Sequence, residues 1–314
     1  MRKSLLFLLA AVCLLSGCGG SGKEAGLYVK DGVLMDQDGK LIQLRGMSTH
    51  GIAWFPQYAS ADAFEFIKEM GGNTVRLAMY TDTENGYLAE PEYNKELLYG
   101  AAEAALSLGL YVILDWHILT DGDPLENLEE AVGFFTEAAE KYRHEPRILY
   151  EIANEPNGVD WESVREYADL VIRAIRKVNP RAVIIVGTPD FSSSLTAAIR
   201  HPLPQENLLY AYHYYAGEKT DYRELELAVS QKFPVFVSEW GIGQDRSKAA
   251  ALEEGESFVA FLNEHKISWC AWSFCNKDEV YSLLKPDCFK ESGFTMDDLS
   301  AVGEVYADAM GGKP

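Results

Sequence analysis

The run Ile148-Leu149-Tyr150-Glu151-Ile152-Ala153-Asn154-Glu155-Pro156 is an apolar stretch that closes on Asn-Glu-Pro, and it has a counterpart in Val235-Phe236-Val237-Ser238-Glu239-Trp240-Gly241. Each places a glutamate, Glu155 or Glu239, where a buried strand ends. An unpaired carboxylate is costly to bury, so a glutamate at the tip of an apolar strand is either solvated in a loop or kept for chemistry. Two of the same kind suggest a working pair. One carboxylic acid with a raised pKa protonates a leaving oxygen while an ionised carboxylate attacks the opposite side, as cleavage of a glycosidic bond requires.

Outward from these two runs, residues 41–274 alternate short β-branched stretches with longer helical ones, eight times over. The stretches read as strands are Leu41–Met47, Asn73–Met79, Tyr111–His117, Ile148–Ala153, Val183–Gly187, Leu208–Tyr214, Val235–Glu239 and Ile267–Trp272. Between them, Ala61–Met70 carries Phe64, Ile67 and the Phe66/Met70 pair at helical spacing, with Gly71-Gly72 at the place of a helix C-cap. Leu108-Gly109-Leu110 repeats the device, and Asn179-Pro180 ends a helix that starts near Trp161. Strand-then-helix repetition implies parallel strands with crossover helices, and eight units imply a single-domain (β/α)8 TIM barrel, whose active site lies at the C-terminal ends of its strands. Polar residues do collect there: His50, Arg76, His117, Glu155, His213, Tyr215, Glu239 and Trp272 all lie within or just past strand ends.

The composition narrows the partners. With 314 residues and 47% hydrophobic content the chain is long enough for one large barrel or two smaller domains. A formal charge of -20 repels phosphate backbones and anionic lipid, so nucleic acid is not expected as a partner, whereas a neutral polysaccharide is not excluded. At the N-terminus, Arg2 and Lys3 precede an apolar stretch from Leu5 to Leu15, too short for a membrane span and read as an export signal over residues 1–17. Leu15-Ser16-Gly17-Cys18 then resembles the bacterial lipoprotein box, which implies lipidation of Cys18, a flexible tether over 18–26, a catalytic domain over 27–314 and a place on the outside of a bacterial cell. Cys270, Cys275 and Cys288 follow neither a disulfide nor a zinc pattern, although Cys275 and Cys288 flank one loop where a bridge is possible.

Seven segments in order carry a resemblance to glycoside hydrolase family five, and within it to the cellulase-like subfamily two. They are Gly46-Met47-Ser48-Thr49-His50-Gly51, Asn73-Thr74-Val75-Arg76, Asp115-Trp116-His117-Ile118-Leu119, Glu151-Ile152-Ala153-Asn154-Glu155-Pro156, His213-Tyr214-Tyr215-Ala216-Gly217, Val237-Ser238-Glu239-Trp240-Gly241 and Trp272-Ser273-Phe274. The resemblance implies that Glu155 is the general acid/base and Glu239 the nucleophile of a retaining double displacement. Arg76 and Tyr215 would hold Glu239 ionised and oriented, His213 would support the pair, and Glu155 would keep its proton to higher pH beside a neighbouring carboxylate. Asn154 would bond the sugar 2-hydroxyl. Trp54, Tyr80 and Trp272 resemble sugar platforms, His50 and His117 line the same cleft, and Lys277 and Glu279 occupy places where family members bond a distal glucose. A cis peptide between Trp272 and Ser273 is also implied.

Two other classes compete. His50, His117 and His213 on three strands are a candidate ligand set for a metal-dependent hydrolase, a reading that leaves the glutamates and Arg76 unexplained. A barrel that binds carbohydrate without cleaving it is the other, against which both glutamates remain in place. Mannan and xyloglucan are alternative substrates on the same fold, while the Asp115–Leu119 and Asn276–Glu279 segments favour linear β-1,4-glucan. The expectation is therefore an endo-acting cellulase with activity on mixed-linkage β-glucan, monomeric, with no metal ligands and no cofactor, since two carboxylates supply the nucleophile and the proton.

Overall fold

The chain enters through a short antiparallel hairpin, β1 (Tyr28–Lys30) and β2 (Val33–Met35), turning at Asp31-Gly32, where both residues have positive φ. In this computed structural model, residues 26–218, 221–243 and 248–311 are described. Eight parallel strands then close into a barrel: β3 (Arg45–Thr49), β4 (Thr74–Tyr80), β5 (Tyr111–His117), β6 (Ile148–Glu151), β7 (Val183–Val186), β8 (Leu208–Ala216), β9 (Val235–Ile242) and β10 (Ser268–Phe274). Neighbours in sequence are neighbours in the wall, and β10 hydrogen-bonds back to β3 to seal it.

Helices pack outside the strands: α1 (Ala61–Glu69), α2 (Pro91–Ser107), α3 (Leu128–Lys141), α4 (Trp161–Val178), the single turn α5 (Pro189–Ser192), α6 (Thr196–Arg200), α7 (Arg223–Ser230), α8 (Lys248–Glu264) and α9 (Ala301–Met310). The sequence dictates their ends. On α4 the side chain of Asp160 accepts from Ser163 N, a cap that contributes about 1 kcal/mol, and Trp161, Val164, Ala168, Val171, Ile172 and Ile175 recur at helical spacing as the buried face. Gly71 and Gly109 take positive φ just beyond α1 and α2, as their positions predict.

The apolar interior has two main layers. One lies between strands and helices; the other fills the barrel's N-terminal half, where Leu27 and Leu34 of the entry hairpin pack with Ile113, Leu149, Ile185 and Phe236. The hairpin thus plugs the end of the barrel opposite the site. It is absent from the sequence-based expectation, and several strands differ from it in length: the first begins at Arg45 rather than Leu41, the fourth ends at Glu151 rather than Ala153, and the seventh runs on to Ile242. Leu41 instead bridges Met35, joining the hairpin to the barrel.

Cys270, Cys275 and Cys288 are buried free thiols, so the bridge considered between the last two is not formed. The expected signal segment 1–17 and Cys18 lie outside the described residues, among which no helix is long and apolar enough to cross a membrane.

Candidate active site

Arg76 organises the open end of the barrel. It lies on β4 with no exposed surface, and a buried guanidinium without partners would be prohibitively costly. Its planar fork is therefore fully used. Nε donates to Glu151 Oε2 at 2.6 Å; Nη1 to Ser48 Oγ and Glu239 Oε2, both at 3.2 Å; Nη2 to Asn154 Oδ1 at 2.6 Å, with Asp115 Oδ2 at 3.0 Å. One side chain thus ties together β3, β5, β6, β9 and the segment after β6.

Glu239 also accepts a short hydrogen bond from the Tyr215 hydroxyl. Glu155 lies across from it, and one oxygen of each carboxyl group falls within 4.8 Å of the other and of a ring nitrogen of His213. His213 Nδ1 is 2.8 Å from Glu155 Oε1, and Nε2 is 3.0 Å from Ser238 Oγ.

The protonation pattern reverses part of the sequence-based expectation. Burial alone would push Glu155 up, but the hydrogen bond and charge of His213 outweigh it, so its carboxyl sits below the usual value. Burial pushes Glu239 up, with the charge of Glu155 adding to the rise and His213 and Arg76 opposing it. The reason is distribution: Arg76 divides its charge among Glu151, Asp115 and Glu239, while His213 is turned toward Glu155. Burial lowers the His213 value, yet Glu239, Glu151 and Glu155 together raise it to about 9. The two directions make His213, rather than Glu155, the more basic member of the pair.

Asn154 fixes a second imidazole. Its Oδ1 is held by Arg76, so its Nδ2 must donate, to Ile118 O at 3.0 Å and toward His117 Nε2 at 3.3 Å. His117 Nε2 is then an acceptor, which places the ring proton on Nδ1 against Asp115 Oδ2 at 2.6 Å. Burial, with Arg76 nearby, lowers the His117 value to about 3, so the ring is neutral.

The predicted cleft residues come together on the β3, β4 and β10 side. Trp272 stacks on His117 with centroids 5.3 Å apart, Tyr80 lies 4.1 Å from His117, and Trp54 covers Tyr80 at 4.3 Å. Trp54 keeps 41% of its surface exposed, which leaves an indole face available at the rim. Lys277 Nζ pairs with Glu279 Oε2 at 2.7 Å and reaches 3.5 Å from His50 Nε2. His50 Nδ1 lies 2.7 Å from Gly51 N; burial first, then Lys277, lowers its value to about 3. The Trp272–Ser273 peptide is cis, as the resemblance implied.

The three histidines of the metal reading do not converge. Among the described residues, the group spaced to share a cation is Glu155, His213 and Glu239, of which Glu155 and His213 pair with each other and Glu239 with Arg76 and Tyr215. Sequence reasoning passed over Asp115 and Glu151 as site residues, although both lie fully buried in strands that are otherwise apolar. That burial pattern was the available signal: such a charge stays only where a partner is built for it.

Two carboxyl groups facing each other across the open end of a (β/α)8 barrel, with one oxygen of each within 4.8 Å, suit the close pair of a retaining glycoside hydrolase. Residues 35–278 match the cellulase model of glycosyl hydrolase family 5. The chain is 41% identical over 285 residues to endoglucanase A of Butyrivibrio fibrisolvens, covering 87% of this chain and 66% of that one. It is 36% identical to the cellulase CelDZ1 of a Thermoanaerobacterium species, covering 90% and 79%. The catalytic domain of a Thermobifida fusca endoglucanase superposes with a TM-score of 0.85 at 34% identity, covering 92% of this chain and 97% of that domain. A variant of that domain has been solved with cellotetraose. The chain belongs to glycosyl hydrolase family 5, the cellulase family.

Proposed function

We propose that the chain is an endo-β-1,4-glucanase of the cellulase-like subfamily two, hydrolysing internal bonds of cellulose and mixed-linkage β-glucan with retention of configuration. The observation that carries this reading is the Glu155–Glu239 pair within 4.8 Å, each carboxyl oriented by its own donor. Glu239, held by Arg76 and Tyr215, attacks the anomeric carbon; the bond to the leaving oxygen breaks as Glu155 supplies that oxygen with a proton. Glu155, now a carboxylate, then takes a proton from water, whose oxygen displaces Glu239 from the anomeric carbon. Asn154 engages the 2-hydroxyl, a contact that accelerates the reaction insofar as it tightens in the transition state. Trp54, Tyr80 and Trp272 provide flat apolar faces for glucose, and His50, His117, Lys277 and Glu279 polar contacts along the same wall. The chemistry requires no cofactor.

Relatives named as endoglucanases and a homologous domain solved with cellotetraose support linear β-glucan over mannan. Product release from carboxymethylcellulose, barley β-glucan and mannan, measured with protein starting at Leu27 and with its Glu239→Ala variant, is the test. Glucan cleavage that disappears in the variant is expected; cleavage of mannan alone overturns the substrate, and an active variant overturns the nucleophile. We further infer a monomer tethered outside the cell through lipidated Cys18. Acyl label on wild type but not on Cys18→Ala is the expected outcome, and label on neither removes the anchor.

A further inference from the structure

Glu151 is a buried carboxylate to which this scheme gives no task. It lies on β6, four residues before Glu155, with no exposed surface. Its Oε2 accepts from Arg76, whereas Oε1 makes no hydrogen bond and faces the His213 ring, 3.9 Å from Nε2. The other nitrogen of that ring, Nδ1, is 2.8 Å from Glu155 Oε1. The imidazole therefore stands between two carboxylates of one segment, with Ser238 Oγ as the direct acceptor for Nε2–H. Oε2 answers the buried Arg76 charge, so the part of Glu151 without an assigned task is Oε1, turned to the His213 ring.

We propose that Glu151 is a positioning residue for the catalytic proton: its charge keeps His213 protonated, so that His213 and Glu155 hold one proton between them and His213 reloads Glu155. The inference rests on Glu155 being the acid/base. In the resting pair the proton is on Nδ1 and Glu155 is a carboxylate. When sugar displaces water from the cleft, the Nδ1–H bond breaks and a Glu155 Oε1–H bond forms, leaving His213 neutral with its remaining proton on Nε2 toward Ser238. Glu155 passes its proton to the leaving oxygen. In the second displacement it takes one from water, and the pair returns to its starting content.

The charges around the ring agree with this. Burial opposes the imidazolium, while Glu239 from β9 and Glu151 and Glu155 from the β6 segment favour it; Arg76 on β4 is itself paired with Glu151 and Glu239. On β5, Asp115 is pushed well above the usual carboxylate range by burial, and His117 is neutral. The value of about 9 for His213 is the sum of that balance. Because the titration belongs to the pair, it sets the alkaline limb of activity.

Glu151→Gln keeps the shape and an acceptor for Arg76 while removing the charge. The alkaline limb of kcat/KM should move down by about one pH unit or more, the ordinary effect of losing an opposite charge at this distance. Cleavage of cello-oligosaccharides, whose leaving group needs a proton, should fall about tenfold or more, and 2,4-dinitrophenyl β-cellobioside, whose leaving group does not, should be hydrolysed nearly as by wild type. In wild type at pH 7.5, the imidazole nitrogen resonances of His213, assigned by their loss in His213→Asn, should be those of a doubly protonated ring. A neutral ring at that pH overturns the proposal whether or not the variant folds. So does a variant whose alkaline limb stays in place while both substrates slow together. Full activity of Glu155→Gln on oligosaccharides would instead overturn the acid/base assignment beneath it, a separate result.

Discussion

At the level of single residues the two glutamates are distinguished by their donors. Tyr215 gives Glu239 a charge-assisted hydrogen bond, and such bonds contribute about 1.5–3 kcal/mol when the acceptor is ionised. Tyr215→Phe leaves that charge to His213 and to Arg76, which is shared with Glu151 and Asp115. Since burial already raises Glu239, losing the bond raises it further, and the acid limb of kcat/KM should move up by about 1–2 pH units. A pH profile on barley β-glucan checks this; an unmoved limb would mean that Tyr215 does not stabilise the ionised carboxylate. Glu155, Glu239, Arg76, Asn154, His213 and Tyr215 were all legible in the sequence, because motif and strand order together place them at one end of a barrel. Which glutamate holds the proton was not. That depends on how Arg76 divides its fork and which way His213 turns, and both follow from side-chain packing that no spacing records.

At the level of elements, periodicity located every barrel strand, and it failed at the entry hairpin. Three-residue strands give too short an alternation to register, although Asp31-Gly32 is a strong two-residue hairpin signal. Gly32 has φ of +85° and lies against Lys232 at the barrel's closed end, where an added Cβ would fall 2.6 Å from the Lys232 carbonyl oxygen. Gly32→Ala should therefore destabilise by about 2 kcal/mol or more through strain and displacement of the plug. Gly100, exposed within α2, has nothing within 4 Å of an added Cβ, so Gly100→Ala should stabilise by about 0.5–1 kcal/mol. Denaturant midpoints of the two variants should move in opposite directions, and neither should change KM, because both sites lie away from the cleft.

At the level of the whole molecule, the barrel separates a plugged apolar end from an end crowded with buried charge, and that crowding makes stability depend on pH. His213 has a folded value of about 9 against an ordinary 6.5, so the native state holds a proton that the unfolded chain releases between those values. Its contribution to stability is fully present below pH 6.5 and is lost as pH rises through 9. Asp115 and Glu239, raised by burial, and His50 and His117, lowered by it, add pH dependences of their own on the acid side, so the total profile does not isolate one group. The difference between wild type and His213→Asn does. The excess Tm of wild type over the variant should be greatest near pH 6 and should shrink steadily toward pH 9.5, because the variant has no proton to lose over that interval. A constant difference from pH 6 to 9.5 would mean that His213 is neutral in the folded chain and stabilises it by packing and neutral hydrogen bonds alone.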